Sequence, residues 1–325
     1  MRTAFIDTLL DLAQKDPRIV LMVGDLGFGV VTPFMERFPA QFVNAGVAEQ
    51  NMTGMAAGMA LSGKIVFTYS IANFPVMRCL EQIRNDVCYH QANVKIVPVG
   101  GGMAYGALGV SHHATEDLAV MRALPNMVVV APGDPIEARL ATRALATLDG
   151  PAYLRLGRAG EPTVHQLEPD FKIGKAITVR EGNDLTLIST GGQLHDTVRA
   201  ADILAEEGIN ARVLSMHTLK PLDVVAVLAA ARDTPAIFTL EEHSIIGGLG
   251  SAVAEVLMEA DERPRYFRRI GLRDTFTSVV GDQDYLRAHY GLHPAGIVAI
   301  VQSVLAGHLT PTEPVNRFET QQERY

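Results

Sequence analysis

Glu49 is the residue whose setting most invites chemistry. It sits in Asn44-Ala-Gly-Val-Ala-Glu49-Gln-Asn-Met52, after an extended run at 41–44 and before a nearly charge-free stretch at 52–61. That stretch holds Gly54, Ala56, Ala57, Gly58 and Ala60, which weaken helix propensity but let another backbone come close. A helix that is apolar all round is a buried helix, so a carboxyl at its mouth is expected to be desolvated. Desolvation favours the neutral acid, and a carboxyl that can gain or lose a proton near neutral pH suits general acid–base work. The plainer account is a first-turn glutamate that complements the helix dipole.

A loop, two arginines, an aromatic and a turn aspartate supply the other candidates. Segment 100–113 is rich in glycine at its start and ends in Gly109-Val-Ser-His112-His113. Glycine lets backbone approach a ligand, and a histidine closing such a loop can move protons near neutral pH; a solvated loop histidine is the alternative. Arg158 follows the run 152–156 and Arg2 opens the chain. A guanidinium suits phosphate because its planar fork donates two parallel bonds, although either arginine alone also reads as a surface group. Phe74 heads an expected helix over 74–90, and Asp25 lies in the turn Gly24-Asp25-Leu-Gly27, where an aspartate needs no function.

The elements that must position these groups alternate between strand and helix. Strands are expected at 19–23, 41–44, 64–68, 94–99, 127–130 and 152–156, with helices between them. A second alternation starts near residue 184 and runs to a helix at 294–305. Such alternation implies parallel sheets covered on both faces. The 325 residues suffice for about two domains, expected at 1–165 and 179–310, joined by a linker at 166–178 and followed by a frayed tail at 311–325. A net charge of −8 argues against broad nucleic-acid binding. No run of about 18 apolar residues could span a membrane, and no basic-plus-apolar leader opens the chain. Cys79 and Cys88 are spaced unlike a metal or redox motif, so a reduced, cytoplasmic protein is expected.

Gly-Val-Ala-Glu49-Gln followed by the Gly/Ala/Met helix resembles the glutamate motif of the pyrimidine-binding domain in the transketolase family. Glu241-Glu242-His243-Ser-Ile-Ile-Gly-Gly-Leu-Gly250 resembles the family's carboxy-terminal domain, so the resemblance covers residues 1–305. It implies two open, mostly parallel sheets with helices on both faces, and dependence on thiamine diphosphate with Mg2+. Glu49 would then hydrogen-bond N1′ of the cofactor's aminopyrimidine. Phe74 would stack on that ring, with Met77 and Leu80 giving aliphatic packing, and Asp25 falls near the cofactor and a dimer contact. His112 falls on the active-site histidine that meets substrate hydroxyls, while Arg158 and Arg2 fall on phosphate-binding positions. His113 falls where the family has glutamine. Glu242 and His243 read as structural.

The family's diphosphate–magnesium motif is Gly-Asp-Gly followed later by Asn-Asn. Here Gly-Asp occurs at 24–25, 133–134 and 281–282, never before glycine, and no Asn-Asn occurs. The resemblance therefore implies the β, carboxy-terminal subunit of a split transketolase. An N-terminal (α) subunit would complete it as an α2β2 heterotetramer and hold diphosphate and metal, and activity would require that partner. The reaction implied is transfer of a two-carbon ketol unit from a ketose, expected to be phosphorylated, to an aldose. Rivals are a deoxyxylulose-phosphate-synthase-like enzyme that joins pyruvate to an aldehyde, and a non-catalytic subunit that keeps the fold. Neither nucleic acid nor membrane is expected as a partner. Two departures bear on substrate. The family's aspartate four residues before the active-site histidine is Leu108 here, and its histidine twelve residues before is Gly100. Loss of both predicts preference for a modified sugar, unless His113 or the partner chain restores the contacts.

Overall fold

The computed structural model describes residues 1–307, and the expected tail at 311–325 lies outside them. The first half runs α1 (Arg2–Ala13), β1 (Ile19–Val23), α2 (Thr32–Arg37), β2 (Phe42–Asn44), α3 (Glu49–Leu61), β3 (Ile65–Ile71), α4 (Leu80–Gln82), β4 (Val94–Val99), α5 (Asp117–Ala123), β5 (Val128–Val130), α6 (Pro135–Thr147) and β6 (Ala152–Leu154). The second runs β7 (Ile177–Arg180), β8 (Leu185–Ser189), α7 (Leu194–Glu206), β9 (Ala211–Ser215), β10 (Thr218–Lys220), α8 (Val224–Asp233), β11 (Ala236–Ser244), α9 (Leu249–Glu259), β12 (Tyr266–Leu272), α10 (Gln283–His289) and α11 (Pro294–Leu305).

Two sheets result. The larger has strand order β10-β5-β6-β4-β3-β1-β2, and the smaller β12-β11-β8-β9-β7. All pairings are parallel except β10 with β5 and β7 with β9. Strands β1, β4 and β8 are buried along their whole length, as continuous apolar runs between two helical layers should be. One apolar cluster joins the halves: Met22, Met52 and Ile96 share it with Ile188, Val227 and Leu249.

Several local readings change. Residues 73–79 form turns where a helix was expected, and only Leu80–Gln82 is α-helical before a π-helical stretch at Ile83–Cys88. Helix α3 begins at Glu49 itself and is not buried all round. Met52, Thr53, Ala56 and Ala57 face inward, while Met55 and Leu61 stay exposed. Its small residues leave one face uncovered in the single chain. The second half lends β10 to the first sheet, where it pairs antiparallel to β5.

Candidate active site

The candidate residues gather at one edge of the larger sheet. Gly24 and Asp25 follow β1, Glu49 follows β2, Phe74 follows β3, loop 100–113 follows β4, and Arg158 follows β6. Carboxyl ends of parallel strands are where open α/β sheets place their ligands, because the loops there converge while helices cover both faces. Arg2 reaches the same edge from the first turn of α1, which is anchored by Phe5 stacked on Tyr69 of β3 at 6.1 Å.

Glu49 is 2% exposed. Its Oε2 accepts a 2.7 Å bond from Arg78 Nη1, a half-exposed guanidinium that supplies the counter-charge. A methyl group placed at Gly24 would lie 3.5 Å from Ser70 Oγ and 3.8 Å from Glu49 Oε1, so both oxygens border one small space. Ser70 Oγ is buried and has no hydrogen-bond partner. The Arg78 guanidinium also lies over the Phe74 ring at 5.0 Å, which ties the aromatic to the carboxylate.

From Phe74 the contacts continue outward. His112 meets the Phe74 ring edge-on at 5.2 Å and the Tyr105 ring at 6.1 Å. Ser111 Oγ lies 3.0 Å from His112 Nδ1 and orients the imidazole. Arg158 lies over the other reach of Tyr105, 5.6 Å from its centroid. The Arg2 charge acts on the phenols of Tyr69 and Tyr105, and that of Arg158 on Tyr105. Among the described residues neither Arg2 nor Arg158 forms an ion pair. One line of contacts therefore runs from Glu49 through Arg78, Phe74, His112 and Tyr105 to Arg158, with the charge of Arg2 acting on its Tyr105 end.

Three residues fall beside that line. Asp25 is exposed, with φ 54°, and exchanges bonds with Asn44, its amide donating to Oδ1 and its carboxylate accepting from Nδ2. Met77 is exposed in the turn after Phe74. His113 points the other way: it is buried, and its Nε2 lies 2.8 Å from the Gly106 carbonyl. Sequence reasoning missed Arg78, Tyr105 and Ser70. For Arg78 a signal existed, since it stands four residues after Phe74.

Loop 100–113 is held by the second domain. Glu242 Oε1 accepts from the Met103 amide at 2.5 Å, and its carboxylate also takes Gln283 Nε2 and Arg287. Arg155 bonds Asp117 at 2.9 Å, the Ala114 carbonyl at 2.6 Å and the Glu242 carbonyl at 3.1 Å. Glu241 instead caps α9 by accepting from the amides of Leu249 and Gly250. Among the described residues no group of three or more histidine, cysteine, aspartate or glutamate side chains is placed to hold a metal.

The family model for the transketolase pyrimidine-binding domain matches residues 1–161, and that for the transketolase C-terminal domain matches residues 174–297. The chain belongs to the transketolase family. It is 45% identical over 298 residues to a subunit of the apulose-4-phosphate transketolase of Phocaeicola vulgatus, covering 91% of this chain and 94% of that one. It is 41% identical to the 6-deoxy-6-sulfo-D-fructose transketolase subunit SqwH of a Clostridium species, with 94% of each covered. A solved split gene transketolase, described as an inactive beta4 tetramer, superposes with a TM-score of 0.86 at 42% identity, covering 94% of this chain and 98% of that one. Transketolase membership implies thiamine diphosphate dependence, and the near-complete coverage of subunit-type relatives matches the split arrangement. No helix among the described residues is long and apolar enough to cross a membrane.

Proposed function

We propose that this chain is the C-terminal subunit of a cytoplasmic, two-chain transketolase that moves a two-carbon ketol unit from a ketose phosphate to an aldose. The observation that carries this reading is the single line of contacts with a buried carboxylate at one end and the carboxylate-free Arg158 at the other, where the charge of Arg2 also acts. The chain divides into a pyrimidine-binding domain at 1–165, a linker at 166–178 and a C-terminal domain at 179–310. An N-terminal (α) subunit completes an α2β2 assembly and holds the diphosphate and Mg2+.

The residues present fit the pyrimidine end of thiamine diphosphate. Glu49 Oε1 is free of hydrogen bonds among the described residues, and Ser70 Oγ is a buried hydroxyl in want of a partner. When bound, the cofactor supplies the nucleophilic carbon that takes the two-carbon unit. Glu49 shares a proton with N1′ of the aminopyrimidine, and Arg78 keeps the carboxylate oriented through its other oxygen. Phe74 offers its ring for stacking, worth about 0.5–1.5 kcal/mol beyond burial, while Asp25 and Met77 border the cofactor. His112, fixed by Ser111, accepts and returns protons at substrate hydroxyls. Arg158 and Arg2 bind the phosphate. The names of the two relatives support an anionic sugar, one a phosphate and the other a sulfo-sugar.

The test is a transfer assay with the purified chain, its α subunit and both mixed, on a panel of phosphorylated ketoses and aldoses. Two-carbon transfer by the mixture alone is expected. Turnover by this chain by itself, or none in the mixture, contradicts the reading.

A further inference from the structure

At Gly100 the family resemblance implies a lost polar contact, yet the space above the residue is filled. A methyl group at Gly100 would meet Tyr105 Cε2 at 2.1 Å and Cδ2 at 2.3 Å. The Tyr105 ring thus occupies the volume of a side chain at position 100. The loop turns back over Gly100, whose φ of 89° suits glycine. His113 cannot serve instead, since it is buried against the Gly106 carbonyl. Leu108 is exposed and offers only carbon.

Tyr105 is placed to meet a ligand. Its ring meets His112 edge-on at 6.1 Å and lies 5.6 Å under Arg158, and it feels the charges of both arginines. Its contacts are through the ring, which leaves the hydroxyl without a protein hydrogen-bond partner among the described residues. Burial raises the phenol above its ordinary value of 10.0 against the opposing pull of Arg2 and Arg158, so it is a neutral donor at neutral pH. A donor beside the unpaired Arg158 guanidinium, within the field of a second unpaired arginine, matches a dianionic acceptor.

We propose that Tyr105 is a specificity-determining residue whose hydroxyl donates to the terminal phosphate of the sugar, together with Arg158 and Arg2, in the place a side chain at 100 would take. This rests on the transketolase reading of the same site. The Tyr105→Phe variant keeps the ring, and therefore the loop packing, and removes only the donor. In the reconstituted two-chain complex, calorimetric titration with ribose 5-phosphate should show about tenfold or weaker binding in the variant, the scale of one bond to a charged group. KM for phosphorylated donors should rise in parallel, with kcat/KM for an unphosphorylated donor such as hydroxypyruvate unchanged. Equal affinities in the two proteins, no binding by the wild type, or an equal loss with hydroxypyruvate overturn the assignment. If the wild type binds ribose 5-phosphate but transfers nothing across the whole panel of phosphorylated ketoses and aldoses, the transketolase reading fails while the affinity ratio still decides the role of Tyr105.

Discussion

Arg158 carries its charge at the open edge of the larger sheet with an aromatic beneath it and no ion-pair partner among the described residues. If Arg158 meets phosphate as proposed, replacing it with alanine would remove a charge-assisted contact worth about 1.5–3 kcal/mol, or about tenfold to a hundredfold in affinity. Arg158→Ala should therefore raise KM for phosphorylated sugars by that factor and leave unphosphorylated donors nearly untouched; steady-state kinetics on both kinds of donor check this, and equal effects would remove Arg158 from the phosphate site. At this scale Glu49, Phe74, His112 and Arg158 were legible because each stands in a short motif whose neighbours carry the information. Arg78 was readable in principle from its spacing to Phe74, but the charge partner of Glu49 lies 29 residues away in the chain. Tyr105 was not readable, because its place over Gly100 depends on the path of a glycine-rich loop that no local pattern encodes.

Helix α6 shows how an element holds the join between the halves. Asp134 caps it by accepting from the Glu137 amide at 2.8 Å, and its other oxygen accepts from the amides of Val164 and His165. Glu137 accepts from the Gly133 amide and lies 2.8 Å from His165 Nε2, while Phe171 stacks on His217 at 4.0 Å. The linker was expected at 166–178, and how it is held was not legible, since the residues just before it are tied to Asp134 and Glu137 at the start of α6 while Phe171 within it stacks on His217, next to β10. Burial would lower His165 from its ordinary 6.5, but the Glu137 bond and the charges of Glu137 and Asp134 outweigh it and raise the group. Burial would raise Glu137 from 4.5, but His165, His217 and the Gly133 amide hold it below. A raised histidine contributes stability fully below about pH 6.5 and loses it as pH climbs through the raised value. The lowered Glu137 keeps its contribution above 4.5 and loses it as pH falls through the lowered value. His217, lowered by burial, works in the opposite sense and loses its contribution as pH falls below 6.5, so a variant comparison is needed. The stability gap between wild type and His165→Gln, from denaturant titrations, should be largest near about pH 6 and shrink toward about pH 9. A gap that grows with pH contradicts the pairing.

Across the whole molecule, two sheets share one apolar cluster, and the smaller half grips the site loop of the larger through Glu242, which Arg287 braces from its own half and whose carbonyl accepts from Arg155 of the larger. Strand–helix alternation made both sheets and their mainly parallel sense legible. The loan of β10 was not, because three residues pairing antiparallel with a strand about ninety positions earlier leave no periodic trace. Nor could the pattern show that α3, the helix that opens with Glu49, presents Met55 and Leu61 to the outside. That exposure and the absence of the diphosphate motif from the sequence support the proposed shared site, in which this chain would contribute Glu49 and the partner would hold the other end of the cofactor. The most direct test is hydrogen–deuterium exchange at C2 of thiamine diphosphate with Mg2+ in four samples: this chain, the α subunit, both together, and both with Glu49→Gln. Fast exchange is predicted only for the wild-type mixture, with the variant slower by about 10²–10⁴-fold, the usual scale for a lost general acid–base group. Fast exchange that survives in the Glu49→Gln mixture contradicts the account.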